Sequence, residues 1–269
     1  IFLLTGGLGI VIGLFIWFGV KELPRGRAEP ELEDMAEIAV HKFELRTAVA
    51  LLRKRALIPM FVQGFFGVFP LNVITFWFFT YLERERQYEQ SAIFPIMLGA
   101  VLAMSVGAFV AGYIGDKLFQ RTPRGRLMVS ATGVISSTIL LVITLTLPLD
   151  APPLTFGLLL AATAFFVLFS GPNVIGTIQD ITLPEVRSTA LSVQYFVENI
   201  GAAAAPLMVG LLSTQMGERG LSNAILLVCV VTYVACGFFL LLAVWRVPED
   251  IAEFKGQMRA RADESLALG

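Results

Sequence analysis

Long apolar blocks alternate with short polar connections along nearly the whole chain. Seven of the blocks are long enough for a helix to cross lipid: Ile1–Val20, Leu57–Leu82, Ala92–Ile114, Leu127–Pro148, Leu154–Ile178, Ser188–Leu212 and Ser222–Trp245. A hydrocarbon core about 30 Å thick takes about 20 helical residues. Water is absent there, so runs of this length predict helices, which pair their own N–H and C=O groups. None shows the apolar–polar alternation of a barrel strand. The expected fold is all-α, a polytopic membrane protein of seven transmembrane helices.

Composition agrees with that pattern. Of the 269 residues 56% are hydrophobic and only 15% charged, and mean hydropathy is +0.76, against about 25% charged in an ordinary soluble domain. A net charge of -1 offers no basic surface for nucleic acid, and one His with two Cys leaves little from which to build a metal or cofactor site. Cys229 and Cys236 lie inside the last block and read as packing residues. The charge signal lies in its distribution. Connections 21–56, 115–126, 179–187 and 246–269 hold 8, 4, 1 and 4 Lys or Arg, whereas the alternate connections hold only Arg84, Arg86 and Arg219. Basic residues favour the cytoplasmic side, which places the C-terminus inside the cell and the start of the chain outside, in the plasma (inner) membrane.

The chain is apolar from residue 1, with neither Met nor a basic leader, and this predicts a start within a span and further segments upstream. Residues 21–56 differ from the rest: Pro30 precedes Glu31, Glu33 and Asp34, which suits a helix N-terminus. Leu32, Met35, Ile38 and Ala39 share one face, and Arg53, Lys54 and Arg55 stand at the headgroup boundary. The segment reads as an amphipathic cytosolic helix or as a solvated charged linker, and His41 within it as a surface residue. The expected division is residues 1–20, a cytoplasmic connection 21–56, a bundle 57–245 and a cytoplasmic tail 246–269.

Within the third span Gly99, Ala103, Gly107, Ala111 and Gly115 recur every four residues, a small-residue stripe that lets a second helix approach closely. The second span carries Gln63, Gly64, Gly67, Pro70, Asn72 and Thr75, and the fifth Ser170-Gly171-Pro172-Asn173. Helix breakers beside polar side chains at membrane depth mark either cavity-lining helices or kinks with polar helix contacts. Of the 21 acids only Glu198 falls well inside a span, about 15 Å from Ser188 at 1.5 Å per residue. An isolated ionised carboxylate is costly there. Gln194 lies one turn earlier on the same face and Asn199 is adjacent. Glu198 is therefore a protonatable coupling site or solute partner, or else a neutral acid joining helices. The candidate solute or proton site comprises Glu198, Gln194, Asn199, Gln63, Asn72 and Asn173.

Between the third and fourth spans the chain reads GYIGDKLFQRTPRGR, which contains Gly112, Asp116, Lys117, Arg121, Arg124 and Arg126. An acid and clustered cations at a helix end can hold neighbouring helices by charge pairs that break on a change of state. They also serve as plain cytoplasmic anchoring. The segment resembles the loop signature of the major facilitator superfamily, Gly-x-x-x-Asp followed by basic residues and Gly-Arg. Gly112 and Asp116 match in register, and Arg124-Gly125-Arg126 match after an insertion. The stretch DITLPEVRSTALSVQYFVENIGAAAAPLMVG resembles the connection between that superfamily's tenth and eleventh helices through Asp180, Pro184, Glu185 and Arg187, then Gly201, Pro206 and Gly210. The looser loop and the Arg-Ser-Thr-Ala stretch are most similar to its Spinster-type branch, although Glu198-Asn199-Ile200-Gly201 stands where that branch has His-Leu-Leu-Gly.

The resemblance covers essentially the whole chain and aligns it with the sixth helix, the central loop and the C-terminal six helices of a twelve-helix protein. It implies a secondary active transporter that moves a small organic or amphipathic solute by alternating access, with a proton as candidate coupling ion. Its partners would be the lipid bilayer and a preceding six-helix half, with no nucleic acid, metal or cofactor. It also implies that Asp116, Asp180 and Arg187 form a cytoplasmic gating network, joined from the loop by Gly112, Lys117, Arg121, Arg124 and Arg126. Seven spans with an outside start also describe a seven-helix receptor or sensor. A retinal protein needs a Lys within a span, and an enzyme needs a nucleophile with a base or a metal cluster; the spans hold no Lys, no His and one acid.

Overall fold

The computed structural model describes residues 2–20, 54–217 and 219–268. The amphipathic helix and His41 lie outside the described residues. Two compact units emerge, Ile1–His41 with Gln257–Gly269, and Lys42–Gly256. In the first, α1 (Phe2–Gly19) is an apolar helix. The second contains α2 (Leu57–Gly67), α3 (Phe69–Arg84), α4 (Gln90–Phe119), α5 (Gly125–Thr146), α6 (Pro153–Val167), α7 (Ser170–Ile181) and α8 (Arg187–Gln215), and α9 (Gly220–Leu268) begins in it. No strand occurs among the described residues.

Six helical segments are long and apolar enough to cross a membrane: Leu57–Arg84, Gln90–Phe119, Gly125–Thr146, Pro153–Ile181, Pro184–Gln215 and Gly220–Arg261. The expected span at the start of the chain corresponds to a shorter apolar helix, Thr5–Gly19. Phe109, Leu207, Leu211 and Trp245 face outward from the bundle and are exposed, a surface suited to lipid or to another apolar protein face. The chain is an integral, multi-pass membrane protein.

Two of the six spans are broken where the sequence places proline. Pro70 has no N–H to return to Phe66, and Val68 instead donates its N–H to the Phe66 carbonyl, separating α2 from α3. The Asn72 side chain then donates 2.8 Å to the Val68 carbonyl at the break. In the span Pro153–Ile181, Pro172 leaves the Leu168 carbonyl without its helical donor, and α6 gives way to α7 over Leu168 and Phe169. Both interruptions fall up to four residues before the proline, because the missing bond is the one from residue i to residue i−4.

The small-residue stripe of α4 is in contact only over its second half. A Cβ at Gly107 would run into the Phe165 carbonyl, Ala111 is fully buried, and a Cβ at Gly115 would run into the Asn173 side chain. Around Gly99 there is open space, and at that level α4 packs on α6 through Ile96, which stands against Gly157, and the buried Ala100 instead of through the stripe.

Apolar packing divides into two main clusters. One, toward the connection 85–89, gathers Phe69, Phe78, Tyr81, Leu141, Phe156 and Val209. The other, toward the opposite end, gathers Leu57, Met60, Leu127, Ile178, Tyr233 and Val247. Between them the polar side chains of α2, α7 and α8 enter the bundle.

Candidate functional site

Glycine decides how closely α2 and α8 cross. A Cβ on Gly64 would fall on the Gln194 amide nitrogen and 3.2 Å from Glu198 Cγ, and one on Gly201 would meet the Phe65 carbonyl. The two backbones therefore approach closely enough for Gln194 to reach across α2 while remaining fully buried. Its Nε2 donates 2.6 Å to Glu198 Oε1. The Gln194 Oε1 is buried with no hydrogen-bond partner among the described residues. An amide presents two donors on one side and an acceptor on the other. Gln194 can thus serve a carboxylate, as it does here, or turn to accept from a carboxylic acid, so Glu198 has a partner in either protonation state.

Gln63, beside Gly64 but on the next face of α2, is also buried. Its Oε1 accepts from Ser170 Oγ at 3.3 Å and from Cys236 Sγ at 3.6 Å, tying α2 to α7 and α9. Gln63, Gln194 and Glu198 are thereby grouped around one turn of α2. The other three expected members are elsewhere. Asn173 donates to the Ala111 and Phe169 carbonyls at 3.1 and 2.9 Å, inside the contact with α4. Asn72 serves the helix break, and the exposed Asn199 donates 2.7 Å to the Tyr195 carbonyl of its own helix.

A second constellation lies at the end bearing the connection 120–124. Arg126 donates through Nε to Asp116 Oδ1 at 2.9 Å and pairs with Asp180 through its NH1 group, and its guanidinium lies 4.4 Å from the centre of the Phe119 ring. One cation therefore joins the last turns of α4 and α7. Gly125 makes this possible, because a Cβ there would collide with the backbone of Leu118 and Phe119. Arg187 donates to the Gln179 and Thr182 carbonyls at 3.0 and 3.2 Å, so it satisfies the end of α7. Lys117 lies over the Tyr113 ring at 5.9 Å. Arg121 and Arg124 are exposed, and Gly112 faces Pro172 at ordinary contact distance.

The opposite end holds an arrangement that sequence reasoning missed. Arg86 is buried and donates to Tyr81 Oη at 2.7 Å, Tyr88 Oη at 3.4 Å, the Pro148 carbonyl at 3.0 Å and the Leu147 carbonyl at 3.0 Å. Its guanidinium lies 4.3 Å from the centre of the Phe156 ring. Neighbouring Glu85 accepts from the backbone N–H groups of Leu221 and Ser222 at the start of α9. Two consecutive charged residues thus fasten the end of α3 to three other helices. No group of His, Cys, Asp and Glu suited to a metal ion occurs among the described residues.

A multi-pass helical bundle with two spans broken at proline, a polar crossing in its interior and an Asp–Arg–Asp bridge at one end is an all-α integral membrane protein. The sequence model of the Major Facilitator Superfamily matches residues 1–206 and, overlapping, 103–267, and the chain belongs to that superfamily. Within it the chain is similar to Spinster proteins. It is 27% identical over 295 residues to Protein spinster homolog 1 of Xenopus tropicalis, covering 98% of this chain and 54% of that protein. Over 183 residues it is 31% identical to the cis,cis-muconate transport protein of Acinetobacter baylyi, covering 68% and 40%. The chain spans about half the length of the curated relatives it matches. A crystal structure of a bacterial homologue of the human lysosomal transporter Spinster, inward-facing and unoccupied, shares the fold with a TM-score of 0.58 at 18% identity, over 92% of this chain and 59% of that one.

Proposed function

We propose that the chain is the C-terminal half of a secondary active transporter that works with a six-helix N-terminal half to move a small organic or amphipathic solute by alternating access. In this reading the crossing of α2 and α8 forms one wall of the solute site, with Gln63, Gln194 and Glu198 at its centre and Asn199, Asn72 and Asn173 outside that first group. Glu198 takes up and releases the coupling proton, and Gln194 holds it in both states. The end carrying Asp116, Arg126 and Asp180 faces the cytoplasm. Its bridge favours the cytoplasm-closed state, because opening between α4 and α7 would separate the cation from one of its two carboxylates.

The observation that carries the reading is the Gln194–Glu198 hydrogen bond inside an apolar span, set against Gly64 of a broken helix. Polar groups and helix breaks at membrane depth persist where they face a pathway. A binding difference between two states is what drives such a cycle. The test is uptake by vesicles containing the full-length protein across a pH series, with labelled cis,cis-muconate as the first solute and neutral and amphipathic organic solutes after it. Glu198→Gln should insert normally and lose the pH dependence of uptake. Unchanged pH-dependent uptake would remove the coupling role from Glu198.

A further inference from the structure

Helix α2 begins without a cap of its own. Its first flanking residue is Ala56, which offers no side-chain acceptor, so the orphan N–H groups of the first turn need a partner from elsewhere. For the first of them, the Ala56 N–H, that partner is Asp250, 194 residues away in sequence, whose carboxylate accepts it at 2.7 Å and also takes the preceding Arg55 N–H at 3.3 Å. Two ion pairs flank it, Lys54 with Glu253 at 3.0 Å and Arg55 with Glu249 at 2.9 Å. Beneath them Ala56, Leu57 and Met60 share one buried cluster with Val247 and Ile251. Residues 247–253 of α9, which the sequence presents as part of a charged tail, thus form a helical strap that holds the start of α2.

Gln63 and Gly64 lie two turns further along the same helix, about 10 Å at 1.5 Å per residue. We propose that Asp250 is a positioning residue for the α2–α8 crossing: it caps α2 from α9 and thereby sets the depth at which Gln63 and Gly64 meet Ser170, Gln194 and Glu198. That this crossing handles solute rests on the carrier reading above, whereas the position of α2 can be read without any solute.

Cys236 supplies a native probe. Its sulfur lies against Gln63 and Gly67 of α2, while Cys229, also buried, belongs to the other core cluster. The full-length protein in lipid nanodiscs is treated with N-ethylmaleimide, and the modification of each cysteine is followed by mass spectrometry beside amide hydrogen exchange of residues 54–61. Asp250→Ala should speed both exchange at 54–61 and labelling of Cys236 by about fivefold, the factor that loss of one helix cap converts to, and leave Cys229 unchanged. Asp250→Asn, which keeps an oxygen acceptor for Ala56, should restore both near to the native rate. If Asp250→Ala does not insert, the paired change Glu249→Gln with Glu253→Gln carries the same prediction at about twofold, because ion pairs to solvent-exposed carboxylates contribute less than a cap. Native rates at 54–61 and Cys236 in Asp250→Ala, equal acceleration of both cysteines, or failure of Asp250→Asn to rescue would overturn the proposal. Loss of pH-dependent uptake without any change in these rates would bear on the carrier reading alone.

Discussion

Replacing Arg86 by Met keeps the length and apolar stem of the side chain but removes four hydrogen bonds and the charge over Phe156. Hydrogen bonds from a charged donor contribute about 1.5–3 kcal/mol each, but they are offset by the several kcal/mol needed to strip water from the guanidinium. What decides the sign is the set of groups left behind. The half-buried Leu147 carbonyl would lose its donor, at about 1–3 kcal/mol, whereas the exposed Pro148 keeps the Ala151 N–H, and the cation–ring contact contributes a further 1 kcal/mol or so. Arg86→Met should therefore destabilise the protein by about 3 kcal/mol. Arg86→Lys should lose roughly half as much, because one ammonium cannot span two carbonyls and a phenol as the planar fork does. Equilibrium unfolding of the purified full-length protein in mixed micelles measures this. Arg86→Met within about 0.5 kcal/mol of the native protein would mean that desolvation cancels every bond at the site, and the fastening role assigned to Arg86 would be abandoned.

Gly64→Ala places a methyl group on the Gln194 amide; it should displace Gln194 and weaken solute uptake at least tenfold, a loss of about 1.4 kcal/mol, while Gly99→Ala, in open space, should leave uptake unchanged. Arg126→Ala removes both arms of the Asp116–Asp180 bridge and should speed labelling of a cysteine at Gly112 from the face that carries Arg121. Arg187→Ala releases the Gln179 and Thr182 carbonyls and the Phe254 ring but leaves Arg126 between its two acids, so its effect in the same assay should have the same direction and a smaller size. Equal rates in all three proteins would separate the bridge from gating.

The spans and both breaks were legible because the forces behind them are compositional. Uninterrupted apolar runs admit only helices in lipid, and Pro70 and Pro172 each remove an N–H beside glycine and polar residues, whereas Pro95, Pro206 and Pro248 are carried inside continuous helices. Glu198 and Gln194 were legible as a pair because four residues along a helix share a face. Asn173 read as equivalent to Gln63, but it follows a helix break, which resets the phase of the helix, and it points into α4 instead. In the run Arg121 to Arg126 three cations look alike. Only the close approach at Gly125 determines that Arg126 turns back between two acids. Arg86 gave no signal, since its principal partners are backbone carbonyls and a ring about sixty to seventy residues away, and its neighbourhood reads as a solvated charged loop. The strap was half-legible: Glu249 and Glu253 are four apart, as one helical face requires, but nothing local to the sequence connects them with Lys54 and Arg55.

Alternating exposure of the α2–α8 crossing is tested most directly by side-specific labelling at Asn199, the exposed neighbour of Glu198. In the full-length protein with Asn199→Cys, and with Cys229, Cys236 and every other cysteine replaced by Ser, a membrane-impermeant maleimide is applied to one face of oriented vesicles and then to the other. The account predicts reaction from both faces, with Arg126→Ala raising the rate from the face that carries Arg121 and lowering it from the opposite one. Reaction from neither face, or from a single face at a rate indifferent to Arg126, would contradict it.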